Sequence, residues 1–164
     1  MHFIFLLMTL GACLLVFYED FKQRMIHISA LTLFGLSTII YSYHKGYLFE
    51  IFALNILFLL IVFSILYIYL FLKHRQLPKM LGRYIGLGDI IILALVCTSY
   101  SLYNYVILIL ATCIVGLIHF SFVRFLLNKK IIRIPFAGCL AAVHFILTLF
   151  SFIVSFDVTN NNLF

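Results

Sequence analysis

The sequence predicts an all-α, polytopic membrane protein, and three observations carry that class. Of 164 residues, 66% are apolar and 10% charged, with a mean hydropathy of +1.23. A soluble domain of this size could not cover its surface with so few charges without exposing large apolar patches. The apolar residues also fall in runs that approach the roughly 20 residues a helix needs to span a bilayer, with short polar breaks between them.

The net charge of +6 does not signal nucleic acid, because the eleven Lys and Arg sit in or beside the breaks and form no patterned aromatic and basic surface. Anchoring at a membrane face is the simpler use of them. Cys13, Cys97, Cys113 and Cys139 all lie inside apolar runs and never as a C-x-x-C pair, so they are expected to be buried thiols rather than a zinc site or a disulfide framework. No metal site and no cofactor is predicted.

Residues 1–18 are apolar enough for a first crossing. No Lys or Arg precedes them and no small-x-small site follows, which argues against a signal peptide. Leu10-Gly11-Ala12-Cys13 resembles a lipoprotein cleavage box but lacks the basic start and runs on into apolar residues. A polar break over 19–27 holds Glu19, Asp20, Lys22 and Arg24, and residues 28–43 make a second crossing. The third, about 47–72, contains Asn55, whose amide is expected to bond a neighbouring helix. The longest break, 73–88, carries Lys73, Arg75, Lys79 and Arg83 with Pro78 as a helix stop, and is read as resting on anionic head groups.

From Ile90 to Phe125 the chain is almost wholly apolar, and one helix of that length would reach about 53 Å. It must fold back, and the Tyr100-Ser101-Leu102-Tyr103-Asn104-Tyr105 stretch is the predicted turn, its tyrosines forming part of an interfacial belt. That leaves a short fourth helix over 89–99 and a fifth over 106–127 with Arg124 snorkelling outward. His119 and His144 fall within helices and are expected in interhelical hydrogen bonds. After a basic break at 128–133, residues 134–156 make a sixth crossing, and 157–164 form a polar tail.

Six crossings put ten basic residues on one side and one, Lys45, on the other. The basic side is cytoplasmic by the positive-inside rule, so both termini are predicted extracytoplasmic. Asp20, at the exit of the first helix, and Asp89, at the entry of the fourth, then share the cytoplasmic face. An ionisable residue at a membrane edge is costly and marks a functional site by default. Two such carboxylates have the chemistry of an aspartic protease, one ionised to take a proton from water and the other protonated to polarise a carbonyl. Helix ends favour Asp89 as the base and Asp20 as the acid. Glu19 is the rival acid, and His27 beside them is read as a solvated interfacial residue.

Asp20 with Ile26 six positions on, Gly86-Leu87-Gly88-Asp89, and Ile134-Pro135-Phe136-Ala137-Gly138-Cys139-Leu140-Ala141 together resemble the three marks of type IV prepilin peptidases, membrane aspartic proteases of the GxGD kind. The order and spacing agree over residues 18–142, most of the chain. The resemblance implies Asp20 and Asp89 as catalytic residues, with Gly86, Gly88, Ile134, Pro135 and Phe136 positioning the site. It also implies a single peptidase domain over 1–156 in a bacterial cytoplasmic membrane, and a prepilin-like or pseudopilin-like substrate already lying in the lipid bilayer. The sequence departs from the family at His27, where Pro is usual, and at Ile91, where Lys is frequent. The first cytoplasmic break spans only nine residues and has no paired C-x-x-C motifs, so methyltransferase activity is not expected. A non-catalytic membrane scaffold is the alternative; a transporter would place its ionisable groups nearer the bilayer midplane.

Overall fold

The computed structural model describes residues 2–23, 25–44, 49–74, 86–125 and 134–154. Among them are six α-helices and no strand: α1 (His2–Gln23), α2 (Ile28–His44), α3 (Phe49–His74), α4 (Leu87–Val96), α5 (Leu102–Phe125) and α6 (Phe136–Val154). The all-α class is therefore observed. Arg24, Lys45, the basic stretches at 75–85 and 126–133, and the tail from 155 onward lie outside the described residues.

Three helices, α1, α3 and α5, are long and apolar enough to cross a membrane, whereas α2, α4 and α6 are shorter in their apolar part. The expected count of six is thus met by six helices but by three of spanning length. The limiting case is α4, whose 10 residues rise about 15 Å, half the thickness of a typical hydrocarbon core.

α1 runs through the polar residues 19–23, which the sequence marks as a break. Falling hydropathy marks where a helix leaves an apolar medium; it does not stop the hydrogen-bond ladder, and no Pro or Gly interrupts it here. Lys22 in the last turn suits the negative end of the helix dipole. Asp20 is consequently held on a rigid helix rather than on a loop.

α1 and α6 form the most extensive helix pair of the bundle. α1 also packs against α2, while α5 lies on α6, α4 contacts α2 and α6, and α3 touches α5. Small side chains allow the closest of these approaches: Ala12, Cys13 and Val16 of α1 and Ala137 and Ala141 of α6 are all fully buried. Phe34 of α2 fills the space behind them with its ring edge-on to His144, 5.7 Å between centroids.

The turn between α4 and α5 comes earlier than predicted, at residues 97–101, and all five are buried. Backbone carbonyls freed at a buried turn need partners. Asn55 of α3 provides them, its Nδ2 donating to the carbonyls of Cys97 at 2.8 Å and Tyr100 at 2.7 Å, the interhelical role expected of it. The hydroxyls of Ser42 and Ser99 meet at 3.0 Å. Tyr100 bonds His144 Nδ1 at 2.6 Å, and the Tyr105 hydroxyl donates to the Leu93 carbonyl at 3.1 Å.

These contacts correct the belt assignment. Tyr100 and Tyr105 are interior residues, drawn in because their hydroxyls have polar partners there; only Tyr103, 64% exposed, stands on the surface as expected. His144 has its predicted interhelical bond. His119 does not: its Nδ1 is buried without a hydrogen-bond partner among the described residues, and its ring lies edge-on to Phe21 at 4.9 Å. Cys13, Cys97 and Cys139 are buried, but Cys113 is exposed on the outer face of α5.

Candidate active site

The site is built on the N-terminus of α6. Pro135 has no N–H and precedes the helix, so the chain starts α6 with its first amides unspent. Phe136 N–H closes a short bond to the Ile134 carbonyl at 2.9 Å. The next two amides, of Ala137 and Gly138, find no carbonyl within the helix to accept them. Each takes a carboxylate.

Ala137 N–H donates to Asp89 Oδ1 at 3.1 Å, and Gly138 N–H donates to Asp20 Oδ2 at 2.6 Å. Two residues 69 positions apart in sequence are thereby gathered on successive amides of a third element. Standard backbone dimensions keep adjacent amide nitrogens within a few ångströms, so the bonded oxygens are at most roughly 9 Å apart. The positive end of the α6 dipole faces both, and charge-assisted bonds of this kind are the stronger sort.

Asp89 is the third residue of α4, and its Oδ2 accepts the N–H of Gly86 at 3.1 Å, the one half of a capping box that a glycine N-cap allows. Gly86 has φ −71° and ψ 144°, extended backbone open to any residue. Its requirement is spatial, because an ideal Cβ there would lie 2.9 Å from Asp89 Oδ2. Gly88 is less constrained: a Cβ would rest 3.4 Å from Ile26 Cδ1, an ordinary contact.

Asp20 is 8% exposed and lies in the last turns of α1. Gly138 is what lets α6 come so close. A Cβ at that position would meet the Phe21 ring at 2.8 and 2.9 Å and Asp20 Oδ2 at 3.1 Å. Glu19, the rival acid, is engaged elsewhere: Oε2 accepts the His27 backbone N–H at 2.8 Å and Oε1 lies 3.2 Å from His27 Nδ1. His27 is 60% exposed, as expected of an interfacial residue, yet it is paired.

Ile134, Pro135 and Phe136 set the start of α6. Ile134 rests its Cγ2 where a Cβ on Gly116 of α5 would be 3.2 Å away. Pro135 is buried, and Phe136 is half-buried against the core. The residues that sequence reasoning left out of the site are Ala137 and Gly138, which act through backbone amides rather than side chains. The signal was present in Pro135, since a proline that opens a helix leaves the amides behind it free.

The fold and site thus define an all-helical chain, with helices long and apolar enough to cross a membrane, that collects two carboxylates on one helix N-terminus. Compared with family models, with curated proteins and with solved structures, the chain finds no match in any of the three.

Proposed function

We propose that the chain is a membrane aspartic endopeptidase that removes the leader of prepilin-like or pseudopilin-like precursors. The observation that carries the reading is the meeting of Asp20 and Asp89 on the successive amides of Gly138 and Ala137. Two carboxylates on adjacent amides disfavour each other's ionisation, which favours one ionised and one protonated member, the state in which one activates water and the other polarises the scissile carbonyl. Helix ends assign Asp89, at the positive start of α4, as the base and Asp20, in the last turns of α1, as the acid. The protein's further task is to hold a peptide bond against the pair, and a substrate confined to the bilayer by its own apolar segment needs little more than that.

In this reading six helices cross or enter a bacterial cytoplasmic membrane, with both termini outside and the carboxylates at the cytoplasmic face. α1 ends, and α2, α4 and α6 begin, at that face. A small chain without an extended first loop carries peptidase activity alone. No cofactor or nucleic acid takes part, and the basic loops serve the lipid head groups.

One observation favours a second reading, a non-catalytic membrane scaffold. Both oxygens of Asp89 accept backbone amides, as a purely structural cap would. Co-expression with a prepilin separates the two. Leader removal is read as a gel shift, which Asp20→Asn and Asp89→Asn each reduce by about 10²–10⁴-fold, the scale of acid-base catalysis. Asn retains one acceptor oxygen for the α6 amide in each variant but gives up the Gly86 bond at Asp89, so folding of both variants is checked by their detergent-unfolding midpoints. Unchanged cleavage in both variants rejects the dyad, and a wild type that cleaves no prepilin leaves the scaffold.

A further inference from the structure

We propose that Glu19 and His27 form a positioning clasp for the two carboxylates; the proposal rests on the peptidase reading for its catalytic part and on geometry for the rest. α1 ends at Gln23 and α2 begins at Ile28, and Glu19 reaches across that link with both oxygens, to the His27 backbone N–H at 2.8 Å and to its Nδ1 at 3.2 Å. An exposed ion pair alone contributes little. This one differs in having a backbone donor and a carboxylate only 18% exposed, so it fixes the path of the chain at the start of α2 as well as a side chain.

The fixed path has a consequence for both aspartates. Ile26, the residue before His27, is set against Gly88, and Gly88 precedes Asp89. Glu19 in turn precedes Asp20 on the rigid end of α1. One clasp therefore joins the turn that carries Asp20 to the turn that carries Asp89, through Ile26. Glu19 touches neither the α6 amides nor the proposed reacting atoms; it acts through the separation of the pair.

The test uses the full chain in lipid nanodiscs, with Glu19→Ala and Glu19→Gln compared with wild type. Gln keeps an oxygen for the His27 N–H and Ala does not. Amide hydrogen exchange across residues 25–28 should be protected in wild type and in Glu19→Gln and lost in Glu19→Ala, with the rest of α1 and α2 unchanged. In the prepilin assay Glu19→Ala should lower kcat about tenfold with KM nearly unchanged, and Glu19→Gln should restore most of it. Equal exchange in wild type and Glu19→Ala shows that there is no clasp and overturns the proposal. Lost protection with wild-type kcat overturns its positioning role. A wild type that protects 25–28 but cleaves nothing refutes the peptidase reading instead, and with it only the catalytic part of this proposal.

Discussion

Gly138→Ala is the sharpest probe of the site, because one methyl group is placed where two partners already stand. Its carbon would lie 2.8 and 2.9 Å from the Phe21 ring and 3.1 Å from Asp20 Oδ2. Carbon–carbon contacts relax near 3.5–4.0 Å, so the ring must withdraw by roughly 0.7 Å. Phe21 has little freedom to do so, with Phe17 at 4.4 Å and His119 at 4.9 Å between ring centroids. Overpacking of this kind costs about 1–3 kcal/mol. If α6 retreats instead, the short Gly138–Asp20 bond stretches, and a hydrogen bond to a protonated carboxyl contributes about 0.5–1.5 kcal/mol. In the proposed peptidase reaction, about 1.5 kcal/mol of that strain expressed as misplacement of Asp20 would lower kcat/KM roughly 10-fold, at about 1.4 kcal/mol per decade. Gly11→Ala is the control, since nothing lies within 4 Å of a Cβ there. Adding Phe21→Leu to Gly138→Ala should recover part of the loss, a coupling that a double-mutant cycle reads directly. Cleavage by Gly138→Ala within about threefold of wild type, or no recovery with Phe21→Leu, would refute the close-approach argument.

Two further outcomes follow from the interior. Asn55→Leu removes the donor shared by the Cys97 and Tyr100 carbonyls while also deleting an unpartnered Oδ1, so the net loss should be about 2 kcal/mol, read as a lower midpoint in unfolding from detergent; an unchanged midpoint would mean that the turn satisfies itself. In detergent, a small membrane-permeant thiol reagent should modify Cys113, midway along α5, faster than Cys13, Cys97 and Cys139, which are no more than 1% exposed, and all four after denaturation. Mass mapping identifies the labelled peptide, and early labelling of Cys139 would contradict the packing of α6 on α1.

Much of this arrangement is legible in the sequence because hydropathy and charge are averaged over many residues. The order of apolar segments, the role of Asn55 and the pairing of Asp20 with Asp89 at one end all come from patterns of that sort. The details that are not legible depend on single contacts. Polarity at Glu19 and Asp20 reads as a loop, yet the ladder of α1 continues because nothing in the backbone stops it. Tyr100 reads as a belt residue, since a tyrosine beside Ser and Asn suits an interface equally well. Only the position of His144, 44 residues away, draws its hydroxyl inside. Cys113 is exposed because it falls on the outer face of α5, which an apolar run without periodicity does not reveal. The spacing to Ile26 does favour Asp20 over Glu19, but the physical reason, which of two adjacent side chains finds the α6 amides, is visible only in the structure.

The order of the helices along the chain adds a temporal dimension to the site. α6 follows every other described helix, and the amides that hold Asp20 and Asp89 belong to its first turn. During synthesis both acidic side chains emerge before their shared anchor exists. A ribosome that has finished α1 through α5 has made every acid of the pair and none of the scaffold that brings them together. The chain therefore carries its own delay: the two carboxylates cannot be gathered until its last described helix has been made and docked.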